Sequence, residues 1–140
     1  MKKTLFTIII SSFFVYPAIA AGSKYSDEFK RNFSQCIPYT ETKYNVSYNS
    51  NSTYEIKGYM QDGSERCIYV ETNEWLRGKN VTTCLFSPKQ LQEYLNAMIT
   101  PDTKHSANIG AMPVVGGHEE VVFLKYFNNP EVCKTVGTKY

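Results

Sequence analysis

Four cysteines behind an apolar leader constrain this chain more than anything else in it. They stand at positions 36, 67, 84 and 133, separated by 31, 17 and 49 residues. An even number of cysteines in a small exported chain reads as a disulfide framework. No C-x-x-C occurs, so a thioredoxin-like redox pair lacks its motif. Zinc sites draw their ligands from close pairs, which these gaps do not provide. With every thiol paired, none is left as a nucleophile. Cys36, Cys67, Cys84 and Cys133 are therefore expected to be structural staples. Three pairings are possible. Cys67 and Cys84 fall on the two arms of a hairpin, and pairing 68 with 83 and 70 with 81 sets them opposite each other. That register favours Cys67–Cys84 with Cys36–Cys133, although both hairpin cysteines face the side where a helix carrying Cys36 would lie.

The leader itself has three parts. Lys2 and Lys3 form a positive start, Leu5 to Val15 is an apolar run, and Ala18-Ile19-Ala20 follows Pro17 as an A-x-A cleavage site. This is the layout of a secretory signal peptide of bacterial type. The run is too short for a transmembrane helix, which needs about 20 apolar residues, and no later stretch is a membrane span. Cleavage is expected between Ala20 and Ala21. Residues 21–140 are then one domain, periplasmic or secreted.

Removing the leader changes the charge. The chain has 15 Lys+Arg and 13 Asp+Glu, and the loss of Lys2 and Lys3 leaves 13 of each. A neutral chain with scattered cations has no long-range pull on nucleic acid or anionic lipid. No nucleic-acid partner is expected.

The element signals describe an α+β fold: a small antiparallel sheet of three to five strands with two helices packed on it, stapled by disulfides. Ser26 caps a short helix over 26–36 whose aromatic stripe is Tyr25, Phe29 and Phe33. Strand signals follow at 42–49 and 53–60, with turns at 49–52 and around Asp62-Gly63. Residues 66–72 and 80–86 form a hairpin with a tip from Glu74 to Lys79. In FSPKQLQEYLNAM, Ser87, Pro88 and Gln90 make a capping box. Leu91, Tyr94, Leu95, Met98 and Ile99 then form one helical face. Residues 101–118 show no period and read as a long loop, and EVVFLKYF (120–127) reads as a buried strand.

Two groups of residues are candidates for a site. Trp75 and Leu76 stand at the hairpin tip beside Arg77 and Lys79, an apolar pair among cations that suits contact with a protein partner. The competing reading folds Trp75 back onto the sheet. His105, His118 and Glu119, with Glu120 beside them, resemble metal or acid–base chemistry, so a small metal-binding protein or hydrolase is the alternative function. Their spacing matches no helical H-E-x-x-H, and a solvated loop histidine is the plainer reading. The 101–118 loop, carrying Met112, Val114 and Val115, is a further contact candidate. The four N-x-[ST] sequons at Asn32, Asn45, Asn51 and Asn80 matter only in a eukaryotic secretory pathway. No G-x-S-x-G, P-loop, EF-hand or dinucleotide fingerprint is present, so no cofactor is expected. A non-catalytic protein is expected over an enzyme.

Overall fold

The computed structural model describes residues 22–139. The leader and its expected cleavage site lie outside the described residues. The architecture is mixed α+β and dominated by sheet. Helix α1 (Asp27–Ser34) is followed by strands β1 (Tyr39–Asn45), β2 (Ser50–Tyr59), β3 (Cys67–Trp75) and β4 (Gly78–Phe86). Helix α2 (Pro88–Ile99), the hairpin β5 (Lys104–Ile109) and β6 (Met112–Gly117), helix α3 (His118–Phe127) and strand β7 (Cys133–Lys139) complete the chain. The main sheet is antiparallel in the order β1-β2-β3-β4-β7, and β5-β6 forms a separate two-stranded sheet.

Both helices expected from the sequence form where their caps predict. The Ser26 side chain accepts the Phe29 N–H, and Asp27 and Glu28 occupy the first turn, where the helix dipole favours them. The Ser87 capping box is complete in both directions, with Gln90 Oε1 accepting the Ser87 N–H at 2.9 Å. α1 ends before Pro38. Ile37 N–H bonds Asn32 C=O and Cys36 N–H bonds Phe33 C=O, which is a Schellman cap. Cys36 holds its left-handed position at φ 52°, where glycine is usual.

The core is aromatic. Phe33 lies 5.9 Å from both Tyr69 and Phe86, and Phe86 meets Tyr94 at 5.6 Å and Tyr126 at 5.5 Å. Side chains of α1, α2 and α3 thus meet those of β3 and β4. Most of these contacts are edge-to-face or tilted, the arrangements ring quadrupoles favour.

Several expectations are corrected. The disulfides are Cys36–Cys67 and Cys84–Cys133, not Cys67–Cys84 with Cys36–Cys133. The hairpin turn has only two residues, Leu76 and Arg77, because Trp75 pairs with Gly78. That shifts the register by two: Cys67 faces Phe86 and Cys84 faces Tyr69. The two cysteines become diagonal neighbours, about 7–8 Å apart in such a pair, beyond the reach of a disulfide. Cys84 instead faces Cys133 directly across β4 and β7.

Residues 120–127 are helical, not a strand. An unbroken apolar run fits either a buried strand or a buried helix. Here Glu119 and Glu120 fill the first turn and Lys125 the last. The Tyr126 hydroxyl and Lys125 Nζ both donate to Glu93 of α2, at 2.5 and 2.6 Å. Among the described residues, three α-helices therefore replace the expected two. Residues 101–118 are largely the β5-β6 hairpin, whose tip turns at Gly110 with φ 62°. The turn expected at 49–52 ends one residue in, because β2 already begins at Ser50.

Candidate functional site

Three places carry candidate chemistry, and the first is one end of the main sheet. The β1-β2 connection, Val46 to Asn49, and the β3-β4 turn, Leu76-Arg77, lie side by side there, because Ser50 pairs with both Asn45 and Trp75. Leu76 is 83% exposed, Val46 80% and Tyr48 78%. The turn that presents Val46 and Tyr48 is held by its own polar groups. Asn45 Oδ1 accepts the N–H groups of Ser47 and Tyr48, and Asn49 Oδ1 accepts the Tyr44 hydroxyl at 2.6 Å. Trp75 is half-buried against the turn: a Cβ added to Gly78 would stand 3.3 Å from its ring and 2.4 Å from Thr138 C=O. Leu76 therefore projects from a base that Trp75 fills. Lys79 stands opposite Glu74 across the hairpin, next to Arg77. Val46 and Tyr48 escape the sequence reading because 42–49 looks like one polar strand. The signal for them is the flanking pair Asn45 and Asn49, both turn formers.

The second place is the histidine pair. β5 and the start of α3 bring His105 and His118 together, with their rings stacked at 3.6 Å and only 13° apart. Thr100 Oγ1 lies 3.0 Å from His118 Nδ1. Burial and the neighbouring His105 hold the His118 pKa below its ordinary value, against a smaller opposing pull from Glu93. Glu119, expected to join the pair, faces the other way and accepts the Lys24 N–H at 3.3 Å. Among the described residues no three of His, Cys, Asp and Glu converge as a metal site. The stacked pair joins β5 to α3, and the direction of the His118 shift makes this contact an expected point of pH sensitivity. Because the folded pKa of His118 is lowered, stability is full above pH ~6.5 and falls on acidification below it. The expected result is earlier loss of amide protection in β5 than in β3 as pH drops from 7 to 5. Hydrogen exchange measures it, and equal loss in both strands would rule out this contact as the pH-sensitive point.

The third place was missed by sequence reasoning. Lys24 Nζ reaches Glu71 Oε2 at 3.2 Å and sits 3.9 Å from the centre of the Phe123 ring. Glu71 is buried on the inward face of β3 and also accepts the Tyr69 hydroxyl at 2.9 Å and Asn73 Nδ2 at 3.0 Å. The Tyr25 hydroxyl bonds those of Tyr69 at 2.9 Å and Tyr94 at 2.7 Å. The direction of the chain follows from its end. Tyr69 gives its hydrogen to the carboxylate, so it accepts from Tyr25, which accepts from Tyr94. Burial pushes Tyr25, Tyr69 and Tyr94 well above the usual phenol range. Desolvation lowers Lys24 despite the opposing pull of Glu71. A signal for Glu71 existed: it follows Cys67 and Tyr69 at alternate positions, which places a charge on the inward face. Beside Lys24 is an open cleft of about 440 Å³ lined by Asp102, Glu119, Glu120 and Phe123 among others.

No described helix is long and apolar enough to cross a membrane. No protein-family model, curated protein or solved structure matches the chain.

Proposed function

We propose that this chain is an exported, non-catalytic module, stapled by two disulfides, that works by holding another protein of the envelope or surroundings. The two disulfides fit an oxidising compartment, and the leader supplies the route. The observation that carries the binding role is the hairpin end of the sheet. Leu76, Val46 and Tyr48 are each about four-fifths exposed on two adjacent, internally braced turns. Braced turns lose little entropy on binding, so apolar area presented this way converts well into affinity. Arg77 and Lys79 would form the polar rim and bias the site towards an acidic partner.

The test is capture of the partner from native envelope and medium by tagged mature protein, with variants run alongside. The paired Trp75→Ser/Leu76→Ser variant and the single Tyr48→Ser variant are each expected to weaken capture about 30-fold or more, the effect of losing a central anchor. Leu76→Ser alone should leave the unfolding midpoint unchanged, since that side chain is exposed. Undiminished capture by these variants would remove the site assignment.

A further inference from the structure

Lys24 holds its ammonium among aromatic rings. Nζ sits 3.9 Å from the centre of the Phe123 ring, 5.0 Å from Tyr25, 5.3 Å from Tyr54 and 5.9 Å from Phe127. Phe123 and Phe127 stack on each other at 3.8 Å. Several rings within about 6 Å of one cation make an aromatic cage, and such cages recognise quaternary ammonium groups. Glu71 closes this one, with Oε2 3.2 Å from Nζ.

The cage suits another cation better than the one it holds. A lysine ammonium is strongly hydrated and has three N–H groups. Among the described residues, Glu71 is the one acceptor that Nζ reaches. Desolvation accordingly lowers the Lys24 pKa. A quaternary ammonium has no N–H to satisfy. Glu71 does not need one either, because its Oε2 keeps the Tyr69 hydroxyl and its Oε1 keeps the Asn73 amide. What a buried carboxylate in this position requires is a positive charge beside it. Lys24 can also leave without moving the chain. Its N–H is bonded to Glu119 Oε1 and its C=O accepts Lys43 Nζ, so the backbone is fixed on both sides. Its side chain is 30% exposed. It lines two open clefts, of about 440 and 340 Å³, with Phe123 in the wall of the first and Tyr54 in the wall of the second. Asp102 and Glu120 also line the larger cleft and favour entry of a cation. We propose that Tyr25, Tyr54, Phe123, Phe127 and Glu71 form a binding site for a trimethylammonium group, which Lys24 occupies as an internal competitor until the ligand displaces it.

The first probe is choline, with sodium chloride at equal ionic strength as the control. On wild-type protein, labelling of the Lys24 amine by a small acylating reagent is followed by mass spectrometry. Excess choline is expected to raise the rate at least fivefold, and sodium chloride to leave it unchanged. Vesicles of phosphatidylcholine form a separate arm, which tells a lipid head group from a free ligand. Lys24→Ala removes the competitor, so the cage is vacant in every molecule. This variant is expected to bind choline at least tenfold more tightly than wild type by calorimetry, and Lys24→Ala/Phe123→Leu to lose that gain. If Lys24→Ala does not fold, Phe123→Leu alone replaces it and is expected to abolish the effect of choline on Lys24 labelling. Labelling indifferent to both choline and vesicles, or choline affinity unchanged by Lys24→Ala, overturns the proposal.

Discussion

Replacing Cys84 and Cys133 together by alanine is expected to lower stability by about 4 kcal/mol, and replacing Cys36 and Cys67 by slightly less. The figures follow from the closed loops, 49 and 31 residues long, through the entropy each bridge removes from the unfolded chain. The two losses should differ in character. Cys84–Cys133 joins directly opposed residues of β4 and β7, so its removal should free the edge strand β7, most of which is exposed. Cys36–Cys67 fastens the end of α1 to the first residue of β3, so its removal should loosen α1. Cys36 adds a second effect, since its left-handed backbone suits glycine. Cys36→Gly/Cys67→Ala should therefore be about 1 kcal/mol more stable than Cys36→Ala/Cys67→Ala. Urea unfolding measures the energies. Peptide mapping without reduction tests the pairing, and a Cys67–Cys84 peptide would overturn the hairpin register.

That pairing marks where sequence reasoning stops. Local chemistry fixed α1 and α2, because Ser26, Ser87, Pro88 and Gln90 act within one helical turn of themselves. The face shared by Cys67, Tyr69, Thr82, Cys84 and Phe86 follows from alternation alone. The register does not, because it depends on whether the turn holds two residues or four. α3 was hidden for a related reason. Val121, Val122 and Phe123 favour a strand by propensity, which outweighs the weak helix signal of Glu119, Glu120 and Lys125, and the contacts of Lys125 and Tyr126 with Glu93 are long-range. The β5-β6 hairpin lacks an apolar alternation because most of its residues are exposed. At the candidate sites, Trp75, Leu76 and the histidine pair were legible as residue types. The Lys24–Glu71 contact depends on residues far apart in sequence, whereas the Val46–Tyr48 turn is braced locally by Asn45 and Asn49 within a stretch that reads as a polar strand.

The tyrosine chain gives the second large prediction, an abrupt loss of stability in alkali. Tyr25, Tyr69 and Tyr94 have folded pKa values raised by burial, so the folded state keeps protons that the unfolded chain releases near pH 10. For a raised pKa, stability is complete below the unfolded value and is lost as pH rises past it. Each tyrosine contributes a slope of about 1.4 kcal/mol per pH unit, and the three together about 4. Tyr54, pushed up to about 12, adds to the loss. Lys24 acts in the opposite direction. Its lowered pKa makes stability rise with pH, but only until the unfolded lysine has lost its proton near pH 10.4. Beyond that point the tyrosines act unopposed. A domain with typical stability of 5–15 kcal/mol should therefore unfold about one to three pH units above 10. Ionisation of Tyr25, Tyr69 and Tyr94, followed by ring NMR signals apart from those of exposed tyrosines such as Tyr48, should coincide with the loss of far-ultraviolet circular dichroism, because the buried hydroxyls can ionise only as the core opens. Ionisation of these three while the dichroism stays native would show the chain to be solvated. Single variants should rank by their place in the chain. Glu71→Ala strands the Lys24 ammonium and two other donors, and is expected to cost about 3–5 kcal/mol. Tyr69→Phe breaks the middle of the chain and should cost about 1–3 kcal/mol. Tyr94→Phe removes only the terminal donor and should cost least. If Tyr94→Phe proved as damaging as Glu71→Ala, the donor direction running from Tyr94 to the carboxylate would be wrong.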